Sequence, residues 1–216
     1  MSTDEDFIMR YTRLMPAAAV PEVTLWLADE VTPLWQATEE WLAEQNCAPP
    51  YWAFAWAGGQ ALARYVLDQP EIVAGKNIFD FAAGGGVASI AAMQAGAASV
   101  VANEIDRVAL AAMRLNAAAN NVTLSYAAGD RSGDALGGID LILAGDVCYE
   151  KHMADKLVPW LRGLAAAGKT VLLADPGRAY LPTSGLERLA EYTIPVPFDL
   201  ESKTERVTHI YRLLAD

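Results

Sequence analysis

Cysteine and histidine, the usual ligands of zinc sites, are scarce in this sequence. Its 216 residues include two cysteines, Cys47 and Cys148, and two histidines, His152 and His209. Their positions do not match the ligand spacings of zinc sites, so we expect no bound metal. We expect both cysteines to be free thiols, as in a reducing cytosol, and a disulfide between them is the open alternative.

Basic residues are few as well. The chain has 16 Lys and Arg residues against 27 Asp and Glu residues, which gives a net charge of −11. Proteins that bind nucleic-acid phosphates rely on clustered Lys and Arg, and the sequence contains no such cluster. We therefore expect no nucleic-acid partner. A neutral or basic protein partner fits this surface better, because complementary charge speeds encounter.

Long uncharged hydrophobic runs are also missing. No segment reaches the roughly 20 apolar residues that a membrane-spanning helix needs, so we expect no association with membranes. The N-terminal residues 1–6 are acidic and lack the basic and apolar regions of a signal or transit peptide. We therefore expect a soluble, cytoplasmic protein, and a monomer. Hydrophobic residues make up 53% of the chain and charged residues 20%, which is typical of a globular protein.

The first 50 residues have the spacing of helices. Helices are predicted to begin at Thr3, Pro21 and Thr32, and the third ends before two consecutive prolines. We interpret residues 1–50 as an N-terminal helical extension. It would pack on a single α/β domain that comprises residues 51–216.

Strands and helices alternate along the rest of the chain. Strands are predicted at 77–81, 99–103, 122–127, 139–145, 170–175, 192–197 and 205–213, and helices at 86–95, 106–120, 151–166 and 183–191. This alternation predicts a mostly parallel sheet with helices on both faces. The last two strands are joined by a segment with no room for a helix, so they should form an antiparallel hairpin.

A glycine-rich turn follows the first predicted strand of this sheet. Gly84, Gly85 and Gly86 open the next helix, and such a turn lets the backbone approach a ligand closely. Asp80 lies near the end of the strand, and Glu104 directly follows the next strand. Two carboxylates at neighbouring strand ends, with a glycine turn between them, indicate a nucleoside-binding site.

The pattern of the turn bears on which nucleoside is bound. The dinucleotide fingerprint G-x-G-x-x-G, started at Gly84, finds Ser89 at its third glycine. The pattern Ala82-x-Gly84-x-Gly86, with Asp80 two residues before it, is instead the arrangement of S-adenosylmethionine-dependent methyltransferases. There the carboxylate faces the methionine end of the cofactor. An NAD-dependent oxidoreductase is the enzymatic alternative, and an ordinary tight turn is the structural one.

Three further residues are predicted to contact the nucleoside. Glu104 is placed to accept hydrogen bonds from the ribose hydroxyls, Ile105 to press on the adenine face, and Asp130 to accept from the adenine amino group. The structural alternatives are a solvated acid, a core isoleucine and a turn aspartate, respectively.

An unusually aromatic segment, residues 51–60, precedes the sheet. Trp52 and Trp56 offer aromatic faces that attract cations such as a sulfonium or an ammonium group. Gly58 and Gly59 would let the backbone approach a ligand. A role in the hydrophobic core is an equally open interpretation of this segment.

Asp146 and Tyr149 follow the fourth strand of the sheet. They are predicted at the carboxyl edge, where open α/β sheets bind ligands, and could flank the reacting group. The alternative is that Asp146 caps the following helix, with Tyr149 packed beneath it. The loop 175–178 lies on the same edge, where Arg178 either binds an acidic group or faces solvent.

Several of these segments together resemble the electron transfer flavoprotein β-subunit lysine methyltransferases. The segments are residues 50–67, the glycine turn 82–86, Asp146-Val-Cys-Tyr149 and residues 175–182. The similarity extends over roughly residues 45–214. The Asp-x-x-Tyr motif is shared with the wider class I seven-β-strand protein methyltransferases, so it does not by itself identify the substrate.

The resemblance implies a seven-strand Rossmann-like enzyme that transfers methyl groups from S-adenosylmethionine to lysines of the flavoprotein β-subunit. With the residue patterns above, it predicts a site whose members are catalytic Asp146 and Tyr149; cofactor-binding Trp56, Gly59, Asp80, Ala82, Gly84, Gly86, Glu104, Ile105, Asp130 and Asp146; and substrate-binding Trp52, Tyr149, Pro176 and Arg178. A methyltransferase acting on another protein, such as a ribosomal protein, or on a small amine is the nearest alternative. A non-catalytic binding module is a more distant one.

The sequence departs from this family in two respects. Ala82 stands where the commonest turn has its first glycine, and we expect it to keep a negative φ angle. The N-terminus is not that of a mitochondrial transit peptide, so we expect a bacterial member.

Overall fold

The computed structural model, which describes residues 3–28 and 49–215, is built around one seven-stranded sheet. In chain order the elements are α1 (Thr3–Tyr11), β1 (Arg13–Ala17), β2 (Val20–Leu27), α2 (Ala57–Asp68), β3 (Asn77–Phe81), α3 (Val87–Gln94), β4 (Ser99–Glu104), α4 (Arg107–Ala119), β5 (Ser125–Ala128), β6 (Leu141–Gly145), α5 (Lys151–Ala166), β7 (Thr170–Asp175), β8 (Leu186–Pro195), α6 (Phe198–Glu201) and β9 (Glu205–Leu213).

The sheet has the strand order β5-β4-β3-β6-β7-β9-β8. Neighbouring strands from β5 to β7 are parallel, whereas β9 is antiparallel to both β7 and β8. The predicted mostly parallel sheet with a terminal antiparallel hairpin is therefore confirmed. The chain crosses from β4–β5 on one side of β3 to β6–β7 on the other, so the carboxyl end of β3 lies at the switch point where such sheets bind ligands.

Successive residues of β3 pack on opposite faces of the sheet. Ile78 contributes to a core with Leu62 of α2 and Ile90 of α3, whereas Phe79 contributes to a core with Leu161 of α5. Helices thus cover both faces, as the βαβ pattern predicts. Burial of each such side chain stabilises the fold by roughly 1.5–3 kcal/mol, which holds the strand ends that carry the site in place.

Residues 13–27 form a β-hairpin, so the helix predicted to begin at Pro21 is wrong. In β2 the buried residues Val23, Leu25 and Leu27 alternate with more exposed ones, a two-residue period that the proline and acid at its start obscured. The predicted helix at Thr3 is confirmed as α1. The helix predicted at Thr32 lies outside the described residues.

The helix predicted over 183–191 is also wrong. These residues run into β8, which pairs with β9 through nine of its ten residues and contains a bulge between Arg188 and Ala190. Pairing with β9 outweighs the local helical spacing here. The connection between the last two strands, expected to have no room for a helix, holds the single helical turn α6.

The remaining elements agree with the sequence predictions, with ends that differ by a few residues. The N-terminus of α4 shows why these boundaries were predictable: Asp106 occupies the N-cap and accepts a hydrogen bond from the backbone N–H of Val108, at 2.8 Å. In the described ranges, no helix has both the length and the apolar character that crossing a membrane requires.

Candidate active site

A cavity of about 860 Å³ opens at the carboxyl ends of β3, β4 and β6. Most of the predicted site residues line it: Trp52, Trp56, Gly59, Asp80, Ala82, Gly84, Glu104, Ile105, Asp130, Asp146, Tyr149 and Arg178. Gly86 and Pro176 are not among the lining residues; Gly86 instead occupies the N-cap of α3. No group of three or more His, Cys, Asp and Glu side chains is arranged to hold a metal ion in the parts of the chain described.

The glycine turn needs backbone conformations that side chains disfavour. Gly84 and Gly86 have φ angles of +55° and +82°. A Cβ added to Gly85 would lie 2.9 Å from the backbone oxygen of Trp52, closer than real contacts allow. The three glycines are therefore required by backbone geometry and by close approach.

Ala82 also has a positive φ angle, of +52°, so the expectation of a negative value is wrong. The chain must leave the sheet directly after β3, and the next backbone N–H, that of Ala83, donates to the carbonyl of Asn103 at 3.0 Å. An alanine in the left-handed region costs roughly 1–2 kcal/mol. A glycine at this position would avoid this cost.

Asp80 is buried beneath the turn. Its side chain accepts a hydrogen bond from the hydroxyl of Ser89 at 2.6 Å. Burial raises the pKa of the Asp80 carboxyl to about 7, and the Ser89 hydrogen bond offsets part of that rise. The serine that breaks the dinucleotide fingerprint is thus the partner of this acid.

Glu104 ties the turn to the end of β4. One carboxylate oxygen accepts from the backbone N–H of Gly84 at 3.1 Å, and the other from that of Ile105 at 2.8 Å. Burial raises the pKa of the Glu104 carboxyl, and these backbone donors oppose the rise. The Ile105 side chain is 74% exposed, so the alternative of a core isoleucine is wrong.

Asp130 follows β5, the strand next to β4, and is engaged by protein groups. It accepts hydrogen bonds from the Ser132 hydroxyl at 2.6 Å and from the ammonium of Lys156. The Lys156 hydrogen bond keeps the pKa of the Asp130 carboxyl well below its ordinary value. Contact with an adenine amino group stays a prediction.

Asp146 lies against the start of α2. Its Oδ2 accepts from the backbone N–H of Gly59 at 3.1 Å, one of the N–H groups left without a partner at a helix N-terminus. The alternative that it caps the following helix is wrong, since Glu150 is the N-cap of α5. Burial raises the pKa of the Asp146 carboxyl to about 6, and the charge of Arg178 and the Gly59 N–H oppose that rise.

This contact depends on the absence of a side chain at Gly58. A Cβ there would lie 2.6 Å from Oδ2 of Asp146 and 2.6 Å from the backbone oxygen of Ala174. Gly58 and Gly59 lie within the first turn of α2, where they leave room for the loop that carries Asp146.

Aromatic rings form the wall beside Asp146. The rings of Tyr51 and Tyr149 are 6.3 Å apart between centroids, and those of Tyr51 and Trp56 are 6.0 Å apart. The indole N–H of Trp56 donates to the backbone oxygen of Tyr51 at 2.8 Å. Trp52, by contrast, is 2% exposed and packs in a core with Ala109 and Ala112 of α4. Core and cavity wall are thus both correct for this segment, because Trp52 and Trp56 both line the cavity and Trp52 is also part of the core.

Arg178 pairs with acidic side chains of the protein, and its own side chain is 23% exposed. Its guanidinium donates to Glu201 at 2.7 Å and lies 3.7 Å from Oδ1 of Asp146. The backbone N–H groups of Gly177 and Arg178 donate to Asp175, at 2.7 and 2.6 Å, which holds the loop in position. The acidic groups that Arg178 contacts are therefore within the protein.

Sequence reasoning missed several residues of this site. Tyr51, His152 and Lys156 line the cavity, and Glu201 reaches Arg178 from the far hairpin. The position of Tyr51 beside the two tryptophans was a usable signal. For Glu201 there was none, because its partner lies 23 residues away across the sheet edge. Cys148 is a buried free thiol, and Cys47 lies outside the described residues.

Comparison with known proteins gives consistent similarities. Residues 60–145 match the family model described as "Ribosomal protein L11 methyltransferase (PrmA)". The chain is 40% identical over 195 residues to the electron transfer flavoprotein β-subunit lysine methyltransferase of Xenopus laevis, covering 87% of this chain and 78% of the relative. It is 34% identical over 215 residues to a homolog of that enzyme in Caenorhabditis elegans, covering 88% and 87%.

Solved structures show the same fold at lower identity. The magnesium protoporphyrin IX methyltransferase of Synechocystis PCC 6803, solved with bound S-adenosylmethionine, matches with a TM-score of 0.55 and 20% identity, covering 73% of this chain and 79% of that one. The ribosomal protein L11 methylase of Lactobacillus delbrueckii matches with a TM-score of 0.50 and 19% identity, covering 74% and 81%. These matches confirm the predicted Rossmann-like methyltransferase fold.

Proposed function

Because this chain belongs to the electron transfer flavoprotein β-subunit lysine methyltransferase family, we propose that it methylates lysine side chains of such a β-subunit, using S-adenosylmethionine. The predicted family, enzyme class and cofactor are confirmed by the family assignment. The observation that carries the chemistry is the buried carboxylate of Asp146 at the cavity, with one oxygen held by α2 and the other left free. Bacterial origin, cytoplasmic location and a monomeric state stay predictions.

The residues that line the cavity are chemically suited to bind S-adenosylmethionine. Asp80 and Glu104 are buried acids whose pKa values burial raises, and a cationic ligand with hydroxyl donors would favour their ionised forms. The turn through Ala82, Gly84 and Gly86 places backbone atoms beside these two acids. When bound, the cofactor supplies an electrophilic methyl group on a positively charged sulfur.

The other predicted contacts follow from position around the cavity. Ile105 has an exposed apolar side chain that would pack on the adenine face, and Asp130, which lines the same cavity, would accept from the adenine amino group. Gly59 and Trp56 lie at the start of α2, beside Asp146, where the methionine portion would meet the substrate.

The substrate lysine must be neutral before it can attack. Its ordinary pKa is near 10.4, and the aromatic wall of Trp56 and Tyr149, with Trp52 behind it, would favour the uncharged amine by desolvation. The lysine ammonium must first lose one proton. The lone pair of the neutral amine would then form the N–C bond as the methyl group leaves sulfur, which would keep the electron pair of the C–S bond. Asp146 orients the amine through its free oxygen, or takes the proton through water. Alignment supplies most of the rate enhancement.

Methylation of a ribosomal protein is a second candidate, favoured by the match of residues 60–145 to the L11 methyltransferase family model. Mass spectrometry separates the two. Purified flavoprotein and purified ribosomal protein L11 are each incubated with the enzyme and S-adenosylmethionine. We expect mass increases of one or more methyl groups on the flavoprotein β-subunit only, and methylation of L11 alone would overturn the proposed substrate.

The catalytic assignment is tested in the same assay. Asp146→Asn and Tyr149→Phe should each greatly reduce methyl transfer while the calorimetric affinity for S-adenosylmethionine stays within a few-fold of the wild type. Full activity in both variants would contradict the assigned roles. A parallel titration with NAD should give no binding, which distinguishes a methyltransferase from an oxidoreductase.

A further inference from the structure

Glu201 is a buried acid that two arginines share. It lies at the end of α6, in the connection between β8 and β9, with a side chain that is 3% exposed. One oxygen accepts from Arg178 at 2.7 Å, and the other accepts from Arg206 at 2.7 and 3.0 Å and from Arg178 at 3.3 Å. Paired arginines make the burial of this charge tolerable.

The same guanidinium that Glu201 holds faces Asp146. The nearest nitrogen of Arg178 is 3.7 Å from Oδ1 of Asp146, which is close enough for strong attraction but too far for a hydrogen bond. That Oδ1 atom is buried and has no hydrogen-bond partner among the residues that the structure describes. A buried oxygen left unsatisfied is costly, so a ligand donor at this position would be favoured.

We propose that Glu201 is a positioning residue that draws Arg178 away from Asp146 and thereby keeps Oδ1 free for the amine of the substrate. This rests on the proposed methyltransferase function. An arginine guanidinium favours bidentate pairing with a carboxylate, and Arg178 can reach both Glu201 and Asp146. Glu201 accepts both of these hydrogen bonds. The positive charge of Arg178 therefore acts on Asp146 without Arg178 occupying its Oδ1 atom.

The charges around Asp146 determine how the variants should behave. Arg178 and the backbone N–H groups of Gly58 and Gly59 favour its ionised form, whereas burial and the neighbouring Asp175 disfavour it. If Glu201 loses its charge, Arg178 closes on Asp146. The carboxylate then becomes easier to ionise, and its free oxygen is occupied.

The test is Glu201→Gln, which keeps the size of the side chain and removes its charge. We expect kcat for lysine methylation to fall by about 10- to 100-fold, the KM for the cofactor to change little, and the acidic limb of the pH–rate profile to move to lower pH. In the double variant Glu201→Gln with Arg178→Gln, the acidic limb should move to a higher pH than in the wild type, because the Arg178 cation that favours ionised Asp146 is gone.

Arg206→Gln is the matched control for folding. It removes the other partner of Glu201, so it also disturbs the buried ion pair, but Arg178 keeps its anchor. The acidic limb of its pH–rate profile should lie at the same pH as in the wild type. Glu187→Gln, which breaks the exposed pair with Arg212 on the same hairpin, should leave activity unchanged.

A second measurement does not depend on the substrate. Carbon NMR of protein labelled at Asp carboxyls, with the Asp146 signal assigned from Asp146→Asn, follows its titration directly. An unchanged Asp146 titration in Glu201→Gln, or full activity of that variant, would overturn the proposal. If wild-type enzyme methylates no flavoprotein, the proposed substrate fails, while this titration still tests the role of Glu201.

Discussion

The side-chain amide of Asn116 donates a hydrogen bond to the backbone carbonyl of Gly85, at 2.8 Å. The oxygen of the same amide accepts from the backbone N–H of Trp26 in β2, at 2.7 Å. One fully buried side chain on α4 thus connects the N-terminal hairpin to the glycine turn of the cofactor site. The conformation of that turn is therefore supported by residues far from it in sequence.

Asn116→Ala should weaken cofactor binding as well as the fold. Loss of the two hydrogen bonds leaves a buried carbonyl at Gly85 without this donor and should cost about 1–3 kcal/mol of stability. Asn120 is the matched control, because it bonds to Thr24 of the same hairpin and not to the turn. Urea denaturation should show similar losses for Asn116→Ala and Asn120→Ala. Calorimetric titration should show weakened S-adenosylmethionine binding for Asn116→Ala only, and equal affinities would rule out the coupling.

Gly58→Ala should inactivate the enzyme. The added Cβ would lie 2.6 Å from Oδ2 of Asp146, so the carboxylate must move and the hydrogen bond from Gly59 is lost. We expect a loss of activity on the order of 100-fold or more, since displacements of about 1 Å have effects of this size. Overpacking should also cost roughly 1–3 kcal/mol of stability.

Gly163→Ala is the control for Gly58→Ala. Gly163 lies in α5. Apart from atoms of its own helix, no described heavy atom lies within 4 Å of a Cβ added there. Alanine there should stabilise the helix by about 0.5–1 kcal/mol and leave methyl transfer unchanged. An active Gly58→Ala enzyme would show that Asp146 does not need its observed position.

Stability should fall as the pH rises from about 4 toward 7, in part because of Asp80. Its pKa is about 7 in the folded protein against an ordinary 3.8, so within this window the folded state binds a proton that the unfolded state has released. Each pH unit then costs at most about 1.4 kcal/mol from this group. Urea denaturation between pH 5 and pH 8 measures the slope.

Asp80→Asn separates this contribution from those of other buried acids. Asparagine can still accept from Ser89 but does not titrate, so the slope between pH 5 and pH 7 should become flatter. The buried carboxyls of Glu104 and Asp146, whose pKa values are also raised, should leave a residual slope of the same sign. Identical slopes in wild type and variant would contradict the raised pKa of Asp80.

Ile105→Ala should reduce cofactor affinity without affecting the fold. The side chain is 74% exposed, so the free energy of unfolding should change by less than about 0.5 kcal/mol. If the side chain packs on adenine, removing its apolar carbons should weaken S-adenosylmethionine binding by roughly 10-fold, about 1.4 kcal/mol. Leu14→Ala, a truncation of an exposed residue of β1, is the control. Calorimetry with both variants decides whether Ile105 contacts the cofactor.

The sequence predicted the parts of the structure that depend on local pattern. Strand β7 and helix α5 have the predicted bounds, and the apolar run of β3 ends at the predicted glycine turn. Because the carboxyl ends of parallel strands meet at one edge, Asp80, Glu104 and Asp146 could be expected at one cavity, and all three line it. The pattern of the glycine turn indicated the methyl donor, and the family resemblance added the substrate class.

Long-range contacts decided what local patterns could not. Strand β8 follows from pairing with β9, and the positive φ of Ala82 follows from how the chain must leave the sheet. The sequence by itself therefore determined the order of elements, the cofactor turn and the acids at the strand ends, since each depends on residues close together in the chain. Only the tertiary structure brought Asn116 to Gly85 and Glu201 to Arg178, because these partners are separated by 31 and 23 residues and meet only when the sheet is complete.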